Sequence, residues 1–162
     1  MGNCSSATRM CKTYESWDNK VTTMVVIDGT ERILGRIAAY AAKQALLGEK
    51  VDIVNCEKMI ITGSRGHIIG EYIHKVKRGT PRSGPFFPRT PQRIVRRTIR
   101  GMLPWDKNRG REAYKLVKCY IGVPIGFEKE KMTEVPGTHV SKLTTTKYIT
   151  IAEIAKQVGS KV

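Results

Sequence analysis

The sequence lacks the features by which most enzymes, metal proteins and membrane proteins are recognised. No apolar run approaches the roughly 18 residues that a membrane-spanning helix needs. Its glycines form neither a G-x-G-x-x-G fingerprint nor a phosphate-binding loop ending in Gly-Lys-Ser/Thr. His67 and His74 have no third ligand nearby in sequence, and no Ser/His/Asp or Cys/His set stands out. We therefore expect no catalysis, no metal, no cofactor, no membrane and no small-molecule substrate.

Cysteine pairs with the spacing of a zinc site or a redox motif are also missing. The four cysteines, Cys4, Cys11, Cys56 and Cys119, show no Cys-x-x-Cys spacing. Cys56 and Cys119 lie in apolar runs, where cysteine usually acts as a small buried hydrophobe. We predict that all four are free thiols in a reducing compartment.

Acidic residues are scarce, and the scarcity is local. The 162-residue chain has 29 Lys and Arg against 14 Asp and Glu, a net charge of +15. From His74 to Lys118 there are 14 Lys and Arg but only Asp106 and Glu112, so these residues hold +12 of that charge. Charge that served only solubility would be mixed with the opposite sign. This distribution favours a nucleic-acid partner over a solvated face, because two acids cannot neutralise so many bases.

The centre of the basic region is a predicted helix. Thr90 suits its N-cap, Pro91 its first position, and Gly101 with Pro104 its end. At 100° per residue, one face carries four arginines, Arg93, Arg96, Arg97 and Arg100. The opposite side is apolar, with Ile94, Val95, Thr98, Ile99 and Met102. Because the arginines repel one another, we expect this face to bind phosphates.

The remaining chain alternates predicted strands and helices. We predict strands at 24–29, 51–55, 59–63 and 118–122, and helices at 34–46, 67–79, 111–118 and 151–158. The last helix begins with a Thr150–Glu153 capping box. Strand, helix and strand within about 30 residues predict an α/β domain on a parallel sheet. The link between 51–55 and 59–63 is too short for a parallel crossover, so their pairing stays open.

Three segments follow from this pattern. We expect residues 24–123 to form the α/β RNA-binding domain, and residues 124–162 to be an arm and a helix packed on it. Residues 1–23 show no apolar periodicity and no hydrophobic region of a secretory signal. Their start, MGNCSS, matches the myristoylation pattern, with Cys4 as a possible palmitoylation site, so a lipid-anchored protein is one alternative. We favour a disordered extension, because a single lipid chain anchors weakly without a polybasic partner.

Two loops add to the basic region. GSRG (63–66), at a predicted strand–helix junction, places backbone N–H groups and Arg65 where a phosphate could bind. That phosphate could belong to RNA or to a free nucleotide, so a free-standing RNA-binding or nucleotide-processing α/β protein is a second alternative. The loop at 78–91 combines arginines and prolines with Phe86 and Phe87. These phenylalanines either dock on the core or stack on bases, and we favour docking.

We predict that the chain presents one basic face to folded RNA. A-form RNA resists base reading in its major groove, so recognition should rest on shape, phosphate and 2′-OH groups. The predicted RNA-binding residues are Arg65, Lys77, Arg78, Arg82, Arg89, Arg93, Arg96, Arg97, Arg100, Lys107, Arg109, Arg111, Lys115 and Lys118.

The run IRGMLPWDKNRGREAYKLVKCYIGVP (99–124) resembles the signature of the large-subunit ribosomal protein thirteen family. VVIDGTERILGRIA (25–38) and VNCEKMIITG (54–63) match two further blocks of that family in the expected order. The resemblance, to the archaeal and eukaryotic branch, implies a three-layer α/β/α domain on a small, mostly parallel sheet, with basic loops and a C-terminal extension. It also implies a non-enzymatic protein in cytoplasmic ribosomes. Such a protein would bind large-subunit ribosomal RNA early in assembly, beside neighbouring ribosomal proteins.

Overall fold

The structure is a computed structural model that describes residues 24–80, 82–130 and 132–160. The predictions of a disordered extension or a lipid anchor at residues 1–23, and of free thiols at Cys4 and Cys11, lie outside these residues. In the described part, the elements follow in the order β1 (Met24–Asp28), α1 (Leu34–Leu47), β2 (Lys50–Val54), β3 (Ile60–Thr62), α2 (Arg65–Lys77), α3 (Pro91–Met102), α4 (Asn108–Leu116), β4 (Val117–Cys119), β5 (Tyr148–Thr150) and α5 (Ile151–Gln157).

A parallel three-stranded sheet in the order β1-β2-β4 lies at the centre of the molecule. Val51 of β2 pairs with Val25 of β1 on one side and with Val117 of β4 on the other. Helix α1 joins β1 to β2, which is the predicted βαβ unit, and it buries Ile37 and the alanines that share its face. The prediction of an α/β fold on a small, mostly parallel sheet is confirmed.

Helix α3 packs against α1 through its apolar face. Ile94, Val95 and Ile99 are fully buried in the main core, and so the predicted amphipathic helix is confirmed. Its ends differ from the prediction in two details. Thr90 occupies the N-cap position, but its hydroxyl is buried without a hydrogen-bond partner. Gly101 lies inside the helix, which continues to Met102.

Strand β3 does not join the main sheet, which answers the open question of its pairing. A short 3₁₀ turn, Cys56–Lys58, turns the chain away from β2, and β3 then pairs antiparallel with β5. Strand β5 was not predicted. Helices α2 and α5 pack on this strand pair through a second apolar cluster, made of Ile68, Ile149, Ile154 and Val158.

Side chains from residues 132–160 contribute to both apolar clusters of the described chain. The Thr133 amide donates a hydrogen bond of 2.7 Å to the carbonyl of Val26, at the outer edge of β1. The Ile33 amide donates one of 2.8 Å to the carbonyl of the buried Thr138. The arm thus covers an edge strand that would otherwise expose unpaired backbone groups. None of the described helices is long and apolar enough to cross a membrane.

Candidate nucleic-acid interface

The arginine face of α3 is largely open to solvent. Arg93, Arg97 and Arg100 are exposed, whereas Arg96 is half-buried. Within the described residues none of the four forms an ion pair, with Asp106, Glu112 or any other carboxylate. Four cations on one helix face repel one another, and an external anion would relieve that repulsion.

Aromatic rings lie against three of these arginines. Guanidinium-to-centroid distances are 4.5 Å for Arg96 over Tyr114, 5.0 Å for Arg97 over Phe87 and 4.0 Å for Arg100 over Trp105. Each such contact contributes about 0.5–2 kcal/mol, depending on how far the pair is desolvated. A ring restricts the rotamers of its arginine without neutralising the charge, so these cations are already ordered before an anion binds.

These aromatic rings also contact other aromatic rings. Trp105 meets Tyr114 edge to face, with centroids 5.2 Å apart and planes at 87°. Phe87 meets Tyr72 of α2 in the same way, at 5.7 Å and 80°. Such pairs add about 0.5–1.5 kcal/mol beyond the area they bury. These pairs were not predictable from the sequence, because their members lie on different elements that only the fold brings together.

Arg96 differs from its three neighbours. Its Nη2 donates a hydrogen bond of 3.5 Å to the carbonyl of Tyr114, and its Nε is buried without a partner. Arg96 therefore joins α3 to α4 as well as contributing charge to the surface.

The turn between α3 and α4 depends on one glycine. A Cβ atom on the buried Gly110 would lie 2.1 Å from the carbonyl oxygen of Pro104, closer than any side chain tolerates. This close approach starts α4 at Asn108, three residues before the predicted start at 111, and β4 then begins at Val117 rather than at 118. Gly110 thereby holds Trp105 beneath Arg100.

Two depressions run along this surface. The first, which we call the arginine groove, has a volume of about 490 Å³, and its lining residues are Phe86, Phe87, Pro88, Arg93, Arg96, Arg97, Arg100 and Tyr114. The second, the loop depression, has a volume of about 370 Å³, and its lining includes Lys77, Arg78, Arg89, Phe86 and Phe87. Among the described residues that line the two depressions, none is acidic.

The two phenylalanines of the 78–91 loop differ in burial. Phe87 is half-buried between Tyr72 and Arg97, so docking is confirmed for this residue. Phe86 is 72% exposed and forms the ridge between the two depressions.

The other predicted RNA-binding residues are exposed but spread more widely. Lys107, Arg111 and Lys115 lie at or on α4, and Arg82 lies in the loop without lining either depression. Arg109 donates a hydrogen bond of 3.3 Å to the carbonyl of Leu46 at the end of α1, where a cation also suits the helix dipole. Arg111 donates one of 3.1 Å to the carbonyl of Trp105.

Lys118 corrects the prediction of a single basic face, and Arg65 has a carboxylate partner of its own. Arg65 lies 3.6 Å from the carboxylate of Glu153, so the second half of the predicted capping box faces Arg65, while Thr150 accepts the Glu153 amide as predicted. Lys118 pairs in register with Asp52, and its neighbours Val117 and Cys119 face the helices. Because side chains alternate along a strand, Lys118 projects from the opposite face of the sheet. That alternation was readable in the sequence.

Asp52, on the far face of the sheet, has a buried carboxyl with basic residues near it. Burial raises the pKa of its carboxyl, Glu130 raises it further, and Lys118 and Lys50 lower it only in part. One carboxylate oxygen is buried without a hydrogen-bond partner. Lys118 therefore offsets a buried charge within the protein, a role that the arginines of α3 lack.

The described residues show no group of three or more His, Cys, Asp or Glu side chains that could hold a metal ion. Cys56 and Cys119 are free thiols, as predicted for these two positions. The adjacent Cys119 thiol and burial together raise the pKa of Cys56, which keeps it protonated.

Comparison with known proteins decides the family. The sequence model of the family Ribosomal protein L13 matches residues 22–125, which include all of the arginine groove and the turn at Gly110. The chain belongs to this family. Three relatives named large ribosomal subunit protein uL13 illustrate the similarity. That from Methanocaldococcus jannaschii is 47% identical over 142 residues, which cover 85% of this chain and 99% of the relative.

The other two relatives are similar to nearly the same extent. The Methanococcoides burtonii protein is 42% identical over 85% of this chain and 99% of its own length. The Archaeoglobus fulgidus protein is 44% identical over 83% and 86%. The predicted family is therefore confirmed, and with it a ribosomal rather than an enzymatic role. The nucleotide-processing alternative for GSRG is wrong.

Proposed function

We propose that this protein is a structural constituent of the large ribosomal subunit, in the cytoplasm, and that it binds large-subunit ribosomal RNA through the arginine groove and the loop depression. The structural role in the ribosome follows from family membership. What supports RNA binding is one observation on α3. Its exposed arginines have no carboxylate partner in the described chain, yet three guanidinium groups lie over aromatic rings.

This arrangement suits phosphate better than it suits an acidic protein. Guanidinium groups bind phosphate oxygens in a bidentate manner, and a row of them matches the repeated charge of an RNA backbone. The arginine groove and the loop depression share Phe86 and Phe87 as lining residues, so one RNA strand could contact both. Neutralising these charges releases counter-ions from the RNA, which should make binding strongly dependent on salt.

The remaining cations extend the footprint. Lys77, Arg78, Arg82 and Arg89 would reach between RNA helices from the loop, and Lys107, Arg109, Arg111 and Lys115 would continue the contact along α4. Lys118 projects from the opposite face of the sheet, so any RNA that it contacts belongs to a separate segment, and Arg65 would add a contact at the start of α2.

We also propose that the α/β unit of residues 24–123, with the arm and helix of 124–162 packed on it, binds before most neighbouring proteins do. An early-binding protein must recognise ribosomal RNA that carries no other protein. The purified chain should therefore bind protein-free large-subunit RNA. A requirement for other ribosomal proteins before any binding occurs would reject the early role and leave the family assignment intact.

Sedimentation of a cell extract tests the proposal as a whole. The protein should travel with large ribosomal subunits in a sucrose gradient and leave them only at high salt, since its contacts are largely ionic. A variant in which Arg93, Arg97 and Arg100 are changed to Gln should stay near the top of the gradient. Equal incorporation of this variant and the unchanged protein would show that the arginine groove does not carry the attachment.

A further inference from the structure

We propose that Phe86 forms a stacking site for one unpaired nucleobase, between phosphates bound in the arginine groove and in the loop depression. This inference rests on the proposed RNA binding and names the part of the RNA that the ridge would take. Phosphate contacts alone would not require an aromatic residue on the ridge, because phenylalanine has no group that attracts an anion.

The exposure of Phe86 is the first observation. It is 72% exposed, whereas Phe87 and Phe127, the other phenylalanines, are half-buried and each lie within 5.7 Å of another aromatic ring. The phenyl ring of Phe86 is therefore accessible to a partner, whereas the ring of Phe87 is already in contact with Tyr72. Its ring offers a flat face on which any base can stack.

The backbone around Phe86 holds it in place. The amide of Gly84 donates a hydrogen bond of 3.0 Å to the carbonyl of Thr80, and the amide of Thr80 donates one of 3.3 Å in return. A Cβ atom on Gly79, whose φ is +100°, would lie 2.1 Å from the carbonyl oxygen of Gly84. The loop is thus closed tightly before Phe86, and the docked Phe87 fixes the chain after it. The phenyl ring is presented by an ordered backbone on both sides.

The positive charge around Phe86 favours a nucleotide over an apolar protein segment as the partner. Phe86 lines both the groove that contains Arg93 and Arg97 and the depression that contains Arg78 and Arg89. A nucleotide has a phosphate on each side of its base, which matches cations on both sides of one aromatic ring. An apolar segment of a protein would place its backbone among cations and leave their charge unneutralised.

Short RNAs provide the test, with the full-length protein in each case. The probes are a single-stranded RNA, the same strand with abasic residues, and a duplex of matching charge. The unchanged protein should bind the base-containing strand about 5- to 100-fold more tightly than the abasic strand, the range expected for one stacked base. Phe86→Ala should lose this preference and keep its affinity for the abasic strand. Phe86→Trp should retain the preference, and melting curves should be unchanged in both variants because the side chain is exposed.

Several outcomes separate this inference from RNA binding itself. If Phe86→Ala binds both strands as the unchanged protein does, the stacking site is wrong although the RNA-binding proposal stands. If Phe86→Ala weakens both strands and the duplex equally, Phe86 shapes the groove and does not stack. If Phe86→Ala is not incorporated into ribosomal subunits although its affinities for all three RNAs are unchanged, Phe86 contacts a protein and the inference is overturned. If no probe binds the unchanged protein at any salt concentration, the RNA-binding proposal itself fails.

Discussion

The arginine groove and the far face of the sheet both carry basic residues, but in opposite chemical settings. On the far face, Lys118 lies beside the buried Asp52 and offsets part of the rise that burial causes in the pKa of its carboxyl. Elsewhere, Arg65 lies 3.6 Å from the carboxylate of Glu153. The arginines of α3 have no such partners among the described residues, and aromatic rings hold three of them instead. A cation that faces a carboxylate serves the protein's own structure. A cation that is ordered by an uncharged ring is left available for an anion from outside.

The largest expected effect on RNA affinity comes from removing the arginine charges of α3 while the other basic residues stay unchanged. Changing Arg93, Arg97 and Arg100 to Gln should weaken binding to a large-subunit RNA fragment on the order of 100- to 1,000-fold, because three charge-assisted hydrogen bonds are lost. The matched control changes Lys50, Arg65 and Lys118 to Gln, which removes the same charge elsewhere. Filter binding of both variants at one salt concentration makes the comparison. Equal losses would mean that net charge matters and position does not.

The turn that supports the groove should be sensitive to a single methyl group. Gly110→Ala should lower the free energy of unfolding by about 1–3 kcal/mol, because the new Cβ atom would clash with the Pro104 carbonyl. Gly101→Ala is the matched control, since a Cβ atom there meets nothing within 4 Å. This second change should raise stability by up to about 1 kcal/mol, as alanine favours the helix. Urea denaturation measures both, and equal effects would refute the close approach at Gly110.

Removing an aromatic ring beneath an arginine tests whether the position of the arginine side chain contributes to RNA affinity independently of its charge. Trp105→Leu keeps every cation but takes away the ring that lies 4.0 Å from the Arg100 guanidinium. We expect RNA affinity to fall about 3- to 10-fold, the size of one cation–π contact, with the salt dependence unchanged. Circular dichroism checks that the fold persists. An unchanged affinity in a folded variant would show that Arg100 needs no support from the ring.

The smallest effect on RNA affinity should come from a substitution on the far face of the sheet. Lys118→Gln should change affinity for the RNA fragment less than about twofold, because its single charge lies away from the groove. It should also cost up to about 1 kcal/mol of stability at neutral pH, where ionised Asp52 loses a favourable charge. This cost should vanish as the pH falls through the raised pKa of Asp52, since a protonated carboxyl no longer interacts with Lys118. A large loss of RNA affinity would restore the prediction of one continuous basic face.

Local periodicity predicted much of this fold, and long-range pairing explains what it missed. The 3.6-residue repeat located α1 and α3 and separated the arginines from the buried Ile94 and Ile99. The antiparallel β3–β5 pair depends on a contact between distant segments, and the early start of α4 accompanies the close approach of Gly110 to Pro104, which no periodicity indicates. For the site, the sequence indicated which cations cluster along the chain. It could not place Tyr114 beneath Arg96 or Glu153 beside Arg65, because those neighbours are set by the packed helices.

The salt dependence of RNA binding tests the central claim most directly. Each phosphate that the protein neutralises should contribute about 0.7–0.9 to the slope of log affinity against log salt, if the DNA values hold for RNA. The slope for the unchanged protein should therefore be steep, and changing Arg93, Arg97 and Arg100 to Gln should reduce it by about 2–3, one phosphate for each arginine. The account is contradicted if the two slopes are equal, because the arginines of α3 would then bind no phosphate.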